Sequence, residues 1–250
     1  MIVIAHISDL HIDNSPRSID RTRAVMAYLE DLPYDLDALL VTGDIADHGL
    51  SSEYAETRGL LASRHPVVVC PGNHDERAAF REHLLGDASA TPGPVNQVHH
   101  APGFTLAVCD SSVPGKDHGH LDDETLTWLD GVLTKATNPV LVAFHHPPAT
   151  LNTPYVDGIR LFDEQSLAAL AARHPHLLAF LTGHAHTPAA TTFAGRPLLV
   201  APGVVSTLRL PWEQRAHPDD HVHLDLPPAL AFHVLDAEGR LTTHFRSVIV

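Results

Sequence analysis

The chain alternates short apolar runs with amphipathic segments, and this alternation is the strongest constraint on its fold. The runs are rich in β-branched residues and end in glycine or polar residues, which is typical of buried strands. The predicted strands span residues 2–7, 38–44 and 67–70, and the predicted helices that follow them span 17–32, 50–63 and 75–85. Strand–helix–strand order indicates parallel strands with crossover helices, and therefore an α/β fold.

The same order continues through the middle of the chain. Further strands are predicted at 104–110, 139–146 and 177–184, with helices at 122–136 and 163–174. From about residue 190 the pattern is mainly β, and residues 236–239 read as a hairpin turn between the last two strands. The segment 211–228 is predicted to be a loop. No linker or repeat interrupts the chain, so residues 1–250 are predicted to form a single domain.

Charge and cysteine usage limit the partners and the compartment. The formal net charge of −14 argues against a nucleic-acid polymer or an anionic membrane as partner. No apolar stretch is long enough to predict a membrane span, and the N-terminus shows no secretory leader, so a cytoplasmic protein is expected. The two cysteines, Cys70 and Cys109, are expected to be buried free thiols, with a disulfide as the alternative.

Acidic, amide and imidazole side chains follow five of the predicted strands. They are Asp9, His11, Asp44, Asn73, His74, His145, His146, His184 and His186. Ligands of open α/β sheets bind outside the carboxyl ends of the strands, where these side chains would meet. Residues two apart in extended chain point the same way, so Asp9 with His11, and His184 with His186, can each aim two donors into one cavity. One such residue is ordinarily a cap or a turn residue, but five clusters together predict a cation site. Oxygen and nitrogen donors without thiolate suit Mn, Fe, Zn or Co.

The ordered motifs resemble those of the calcineurin-like metallophosphoesterases. The matching blocks are "DLH" (9–11), "GD" (43–44), "GNHD" (72–75), His145 and "GHAH" (183–186). The resemblance implies a four-layer α/β/β/α sandwich with two mixed β-sheets. The contexts "FHHPP" (144–148) and "GHAHTP" (183–188) further resemble the bacterial class III cyclic nucleotide phosphodiesterases and their glycerophosphodiester-cleaving relatives.

The resemblance also implies a centre of two divalent or mixed-valence transition-metal ions. One ion would take Asp9, His11 and His186, the other Asn73, His145 and His184, and Asp44 would bridge both. Two cations acidify a shared water, and the resulting hydroxide attacks phosphorus in line with the leaving alkoxide.

Several neighbouring residues receive roles by the same resemblance or remain open. His74 is the candidate proton donor to the leaving alkoxide, and Asp47 the carboxylate that would hold the His74 ring. Asp75 either caps the helix that follows or takes part in catalysis. His146 either contacts phosphate or is structural, and Arg77 either touches substrate or is a solvated helix residue. The remaining loop histidines either rim a pocket or are simply exposed: His99, His100, His118, His120, His217, His221 and His223.

The leading functional hypothesis is a metal-dependent phosphodiesterase for small substrates, with 3′,5′-cyclic nucleotides such as cAMP first. A glycerophosphodiester hydrolase or a broad phosphodiester and phosphomonoester hydrolase is the enzymatic alternative. A non-catalytic scaffold of the same fold is an alternative of another class, although no motif residue is missing. A DNA exonuclease is disfavoured by the acidic charge. The oligomeric state is open, and the resemblance suggests a homodimer.

Overall fold

A computed structural model describes residues 1–89, 91–213 and 221–249 of the chain. The strands are β1 Ile2–Ile7, β2 Ala38–Thr42, β3 Val67–Cys70, β4 Gln97–Ala101, β5 Phe104–Val108, β6 Gly119–His120, β7 Val140–Ala143, β8 Leu161–Phe162, β9 Leu177–Thr182, β10 Ala189–Phe193, β11 Arg196–Val200, β12 Thr207–Leu208, β13 Val222–His223, β14 Ala229–Leu235 and β15 Leu241–Ser247. The helices are α1 Pro16–Glu30, α2 Ser51–Leu60, α3 Arg77–Phe80, α4 Asp123–Lys135, α5 Pro154–Asp157 and α6 Glu164–Arg173, and a π-helical turn, Arg81–Leu85, continues α3.

The first sheet contains the three N-terminal strands and has the order β15-β14-β1-β2-β3. The pairs β1–β2 and β2–β3 are parallel, as the alternating sequence pattern predicts. The C-terminal strands β14 and β15 extend the sheet antiparallel beside β1. The predicted turn between them is present, with Gly239 at φ +78° and its N–H donating to the Asp236 carbonyl.

The second sheet has the order β10-β11-β9-β7-β5-β4. Its four central strands run parallel, and β4 and β10 are antiparallel edges. Both sheets are therefore mixed. The carboxyl ends of the parallel strands of each sheet are the places where the predicted metal ligands follow.

Alternate residues of each strand enter different apolar layers, which places the helices outside and the two sheets face to face. Leu40 of β2 and Leu141 of β7 belong to the buried cluster between the sheets. Leu39 packs instead in a cluster with Leu29 of α1. On the opposite outer face Val142 joins a cluster that includes residues of α4 and α6. The predicted four-layer α/β/β/α fold is confirmed.

Element boundaries differ from prediction at the helix caps. The helix predicted over 75–85 begins at Arg77, and its N-cap is Glu76, whose carboxylate accepts from the Ala79 N–H at 2.8 Å. Helix α2, predicted over 50–63, has Leu50 as N-cap, and the Leu50 N–H donates to Glu53. Helix α4 has Asp122 as N-cap, and its carboxylate accepts from the Thr125 N–H at 2.8 Å.

Four of the predicted loop histidines lie on strands. His99 and His100 are on edge strand β4, His120 is on β6 and His223 is on β13. These strands are short or half exposed, so their sequences lack the apolar run that marks a buried strand. His217 and residues 214–220 of the predicted loop lie outside the described residues. Among the described helices, none combines the length and apolar character required to cross a bilayer.

The two cysteines behave as predicted. Cys70 ends β3 and Cys109 follows β5, and both are free thiols with no exposed surface. Burial raises the pKa of both thiols, so they stay protonated and act as small apolar side chains in the core.

Candidate metal centre

The loops after β1 and β2 run side by side beyond the ends of their strands. The Asp9 N–H donates to the Gly43 carbonyl at 3.1 Å, and the His11 N–H donates to the Asp44 carbonyl at 2.9 Å. Ile12 and Ala46 then form an isolated parallel bridge. The parallel pairing of the sheet thus continues into the loops and sets "DLH" directly against "GD".

Hydrogen bonds between loops attach the three other motifs to this pair. The His184 N–H donates to Asp9 Oδ2 at 3.1 Å, and the His74 N–H donates to Asp44 Oδ1 at 3.0 Å. The Gly183 N–H donates to the His145 carbonyl at 2.9 Å. The two sheets are therefore joined at one edge by the residues that the sequence predicts as ligands.

Five of the seven predicted ligands have left-handed backbone conformations. They are Asp9 (φ +56°), His11 (φ +44°), Asp44 (φ +48°), His184 (φ +67°) and His186 (φ +52°). Such angles are uncommon for residues other than glycine and concentrate where the surrounding structure has to aim a side chain. The chain turns sharply at each of these positions, which directs consecutive side chains into one cavity.

Two glycines are required by the close approach of these loops. A Cβ on Gly72 would lie 2.5 Å from the Asp44 backbone nitrogen, and it would also overlap the Asp44 carboxylate. A Cβ on Gly43, which has φ +84°, would lie 2.6 Å from Nδ1 of His145. Real side chains do not reach such distances, so both glycines are needed to seat Asp44 and His145.

The side chains of the ligand set converge on the two carboxylates. Asp44 Oδ2 lies 3.5 Å from His11 Nε2 and 3.3 Å from His145 Nε2. Asp9 Oδ1 lies 3.4 Å from His186 Nε2, which is 3.2 Å from His11 Nε2. Asp9, His11 and His186 thus offer donor atoms within 4.8 Å of one another, and so do Asp9, Asp44 and His145. One oxygen of Asp44 thus lies near the ring nitrogens of two histidines, which is where a carboxylate that bridges two ions would have to lie.

The outer ring nitrogens of three histidines are held by the protein. Nδ1 of His11 is 2.8 Å from Asp47 Oδ1, Nδ1 of His145 is 2.6 Å from the Thr42 carbonyl, and Nδ1 of His186 is 2.9 Å from the Ser206 hydroxyl. An acceptor at Nδ1 keeps the proton there and leaves the Nε2 lone pair facing the centre, which is the usual support of a metal-binding imidazole.

Unpaired buried atoms show that these residues fit cations. Within the described part of the chain, Asp9 Oδ1, Asn73 Oδ1 and His184 Nε2 are buried with no hydrogen-bond partner. A buried polar atom without a partner is costly, and a coordinated ion removes that cost. The donors are oxygen and nitrogen only, which suits transition-metal ions better than a structural thiolate zinc site.

The pKa values of the histidines also indicate that the buried carboxylates of this cluster favour additional positive charge beside them. Burial alone would lower the pKa of His145, but the neighbouring Asp44 carboxylate outweighs it and the pKa rises to about 9. Burial lowers the pKa of His184, and the nearby charge of His145 lowers it further. Hydrogen bonding to Asp47 and the nearby carboxylates likewise outweigh burial and raise the pKa of His11, whereas burial lowers the pKa of His186. Metal ions compete with protons on such residues, so bound cations would supply the positive charge that the carboxylates favour.

His74 lies beside the ligand cluster, where it was predicted, but its partner atom differs. Its side chain is 40% exposed and lines a cleft of about 370 Å³ together with His11 and Asp44. His74 Nδ1 donates to the backbone carbonyl of Asp47 at 2.7 Å, whereas the Asp47 carboxylate is 3.7 Å away. The Asp47 carboxylate orients His11 instead, so the prediction that it holds His74 is corrected. Nε2 of His74 remains available for chemistry.

Hydrogen bonds within the protein engage both candidate substrate contacts, His146 and Arg77. His146 is fully buried, with Nδ1 2.8 Å from the Ser111 hydroxyl and Nε2 3.2 Å from the Asp117 carbonyl, and these contacts favour the structural alternative over contact with phosphate. Arg77 is bonded within the protein rather than solvated. Its Nε donates to Asp110 at 2.7 Å and a terminal nitrogen donates to the Ser112 carbonyl at 2.9 Å.

Asp75 has a role that sequence reasoning missed, and its prediction as a helix cap is wrong. Its carboxylate accepts from the N–H groups of Ile45 (3.1 Å), Ala46 (3.0 Å) and Gly72 (2.8 Å), and from the Tyr54 hydroxyl (2.9 Å). It therefore fastens the "GD" loop to the "GNHD" loop. Burial, together with the Asp44 charge, raises its pKa to about 6. In the sequence, the only indication of this role was the position of Asp75 directly after the predicted catalytic histidine.

Comparisons with known proteins agree with this centre. The family model described as calcineurin-like phosphoesterase matches residues 2–188. The chain belongs to the calcineurin-like phosphoesterase family. It is 34% identical, over 79% of this chain and 69% of the relative, to a probable cyclic nucleotide phosphodiesterase of Rhodococcus erythropolis. It is 32% identical, over 93% of this chain and 86% of the relative, to the glycerophosphodiester phosphodiesterase GpdQ of Enterobacter lignolyticus.

The solved structures confirm the fold of this phosphoesterase. A dimetal phosphatase from Danio rerio superposes with a TM-score of 0.74 at 18% identity, covering 98% of this chain and 96% of that chain. Because the sequence relatives are phosphodiesterases, the prediction of a metal-dependent phosphoric diester hydrolase is confirmed. The family implies two metal ions at the centre described above.

Proposed function

We propose that this phosphoesterase hydrolyses 3′,5′-cyclic nucleotides, with cAMP as the first substrate. The observation that carries the proposal is the convergence of the complete ligand set around Asp44 at the base of a cleft of about 370 Å³. That volume lies in the range of small-molecule sites. The relative named as a cyclic nucleotide phosphodiesterase supports this substrate class.

The proposed ligand assignment divides the donors between two sites. One ion would be held by Asp9, His11 and His186, the other by Asn73, His145 and His184, and Asp44 would be shared. When bound, the two cations supply Lewis-acid charge to the phosphoryl group and acidify water. Mn, Fe, Zn and Co all suit this donor set.

His74 is proposed as the proton donor to the leaving alkoxide. Its Nδ1 is occupied by the Asp47 carbonyl, so in the imidazolium form Nε2 carries the transferable proton. The Asp47 carboxylate lies 3.7 Å from the same Nδ1. Proton donation by a positioned histidine contributes a factor of about 10²–10⁴ in rate.

The test is a substrate panel on protein reconstituted with Mn²⁺. We expect release of 5′-AMP from cAMP, strong loss of rate in His74→Ala, and full activity in Asp122→Ala, which removes the N-cap of α4 at a residue that does not line the cleft. Good turnover of glycerophosphodiesters with none of cAMP would refute the substrate assignment. Metal binding without hydrolysis of any phosphoester would favour the scaffold alternative.

A glycerophosphodiester is the second candidate substrate. It is favoured by the similarity to GpdQ, which extends over 93% of this chain. Rates on glycerophosphoethanolamine, bis(p-nitrophenyl) phosphate and p-nitrophenyl phosphate, each relative to cAMP, separate a specific glycerophosphodiesterase from a broad phosphodiester and phosphomonoester hydrolase.

The predictions of domain organisation, cellular location and oligomeric state are part of the same proposal. A single domain over residues 1–250 is supported by the pairing of C-terminal strand β14 with N-terminal strand β1. A cytoplasmic location is supported by the buried unpaired thiols of Cys70 and Cys109, since thiols persist in a reducing compartment. The homodimer stays a prediction and is tested by light scattering.

A further inference from the structure

An exposed aromatic ring lines the cleft that contains the predicted metal ligands. Tyr155 is 57% exposed and lines the cleft, with its ring stacked on the imidazole of His221 at a centroid distance of 5.4 Å and an interplanar angle of 16°. A large aromatic side chain that keeps more than half of its surface in water retains free area for stacking. We call this pair of rings the aromatic platform.

Local structure fixes Tyr155 in place. It lies on the short helix α5, and the carboxylate of Asp157 accepts from the N–H groups of Leu151 (2.6 Å) and Thr153 (3.1 Å) in the segment that leads into this helix. Val156, the next residue, is 1% exposed and anchors the helix in an apolar cluster. The ring is therefore presented by an anchored turn.

The second ring is tied to the metal centre through the β12–β13 ribbon. Leu208 pairs with Val222, and the Arg209 N–H donates to the His221 carbonyl at 2.7 Å. The segment just before the ribbon carries Ser206, whose hydroxyl holds Nδ1 of the predicted ligand His186. One short segment thus connects the aromatic platform to a metal-binding histidine.

Two chemically different groups of residues line the cleft. The first group contains predicted metal ligands such as His11 and Asp44, and it suits a phosphoryl group. The second group contains the aromatic platform with the apolar side chains of Ile159, Leu208 and Val222. A substrate that contacts both groups has a phosphodiester at one end and a flat, largely apolar group at the other.

We propose that the aromatic platform binds the base of the nucleotide, and that Tyr155 determines specificity for nucleotides over glycerophosphodiesters. The inference rests on the proposed function and deepens it. Every nucleobase has a π-face that stacks on an aromatic side chain, whereas the glycerol and ethanolamine parts of a glycerophosphodiester have none. Tyr155 acts on binding and leaves the reacting atoms to the metal centre.

The expected effect follows from the usual strength of base stacking. Removal of one stacking ring weakens the binding of a base by a factor of about 5 to 150. Tyr155→Ala should therefore raise KM for cAMP by a factor in this range, with kcat changed little. Tyr155→Phe keeps the ring and should keep KM near that of the wild type. KM and kcat for glycerophosphoethanolamine should be unchanged in both variants.

Steady-state kinetics of these variants on Mn²⁺-loaded protein test the inference, with Tyr34→Ala as the matched control. Tyr34 is also an exposed tyrosine, 81% exposed, but it is not among the residues that line this cleft. A rise in KM for cAMP that is specific to Tyr155→Ala supports the aromatic platform. An unchanged KM for cAMP, or an equal rise for glycerophosphoethanolamine, overturns it.

A binding measurement separates failure of the inference from failure of the proposed function. Calorimetry compares 5′-AMP with ribose 5-phosphate, which lacks the base, on the same metal-loaded protein. If the wild type does not hydrolyse cAMP, the proposed function fails. The aromatic platform still stands if 5′-AMP binds at least about fivefold more tightly than ribose 5-phosphate and Tyr155→Ala abolishes that difference. Equal affinities of the two ligands for the wild type refute it.

Discussion

Replacement of Asp75 by alanine tests whether a single carboxylate aligns two metal-binding loops. The side chain accepts three backbone N–H groups and one hydroxyl, at 2.8–3.1 Å, from the loops that carry Asp44 and Asn73 and from Tyr54 on α2. Asp75→Ala removes all four bonds at once. It leaves the donors facing a small cavity beside the predicted bridging aspartate.

The expected cost can be worked from these contacts. A hydrogen bond contributes about 1 kcal/mol net to stability, so four bonds correspond to about 4 kcal/mol. Removal of a residue that orients metal ligands ordinarily lowers metal affinity by a factor of about 10–100. Asp75→Asn keeps an acceptor oxygen but turns an NH₂ group toward N–H donors, so its effect should be intermediate.

Urea unfolding of chelator-treated protein measures the first effect, and calorimetric titration with Mn²⁺ measures the second. The matched control is Asp122→Ala, which removes one capping bond to Thr125, and neither residue is among those that line the cleft. This control should lose about 1 kcal/mol and keep its metal affinity. If Asp75→Ala costs no more than the control and binds Mn²⁺ as the wild type does, the bracing role of Asp75 is wrong.

Three further predictions address the ligands, the loops and the core. Asp44→Ala should lose both metals and all activity, whereas His74→Ala should keep both metals, counted by elemental analysis, and lose about 10²–10⁴ in rate. Gly72→Ala should displace Asp44 and abolish metal binding. The control is Gly131→Ala in helix α4, whose added Cβ meets nothing within 4 Å. It should bind metal normally and become more stable to unfolding by up to about 1 kcal/mol. Burial lowers the pKa of His233 to about 3. Below pH 6.5 this histidine therefore binds a proton in the unfolded chain but not in the folded chain. Through this group alone, stability should fall by about 1.4 kcal/mol per pH unit between pH 6 and 3.5, and urea unfolding of His233→Leu should show a weaker acid dependence than the wild type.

Much of the fold and of the ligand set follows from local sequence. Strands such as Val67–Cys70 have uniformly apolar sequences because parallel strands between layers are buried on both faces. The polar residues directly after them, including Asp44 and Asn73, had to collect at one edge once the strands were parallel. The hydrophobic period and the succession of strands and helices along the chain are local properties, so both could be predicted without coordinates.

Bonds between distant loops could not be read in this way. The sequence does not reveal that the Asp47 carboxylate turns to His11 while its carbonyl holds His74, because both partners are within reach of the same loop. His146 follows a ligand in sequence, yet its ring is buried between Ser111 and Asp117. These choices depend on which side chains face each other after the sheets pack.

The sequence by itself determined that the chain carries a cluster of oxygen and nitrogen donors suited to cations, because donors that follow successive parallel strands meet where those strands end. Only the tertiary structure decided how that chemistry is supported and directed. Asp75 joins two loops, and Tyr155 stacks on His221 where both line the cleft. The physical reason is range: strand pattern and strand-end position are set by neighbouring residues, whereas orientation and specificity arise from contacts between segments far apart in the chain.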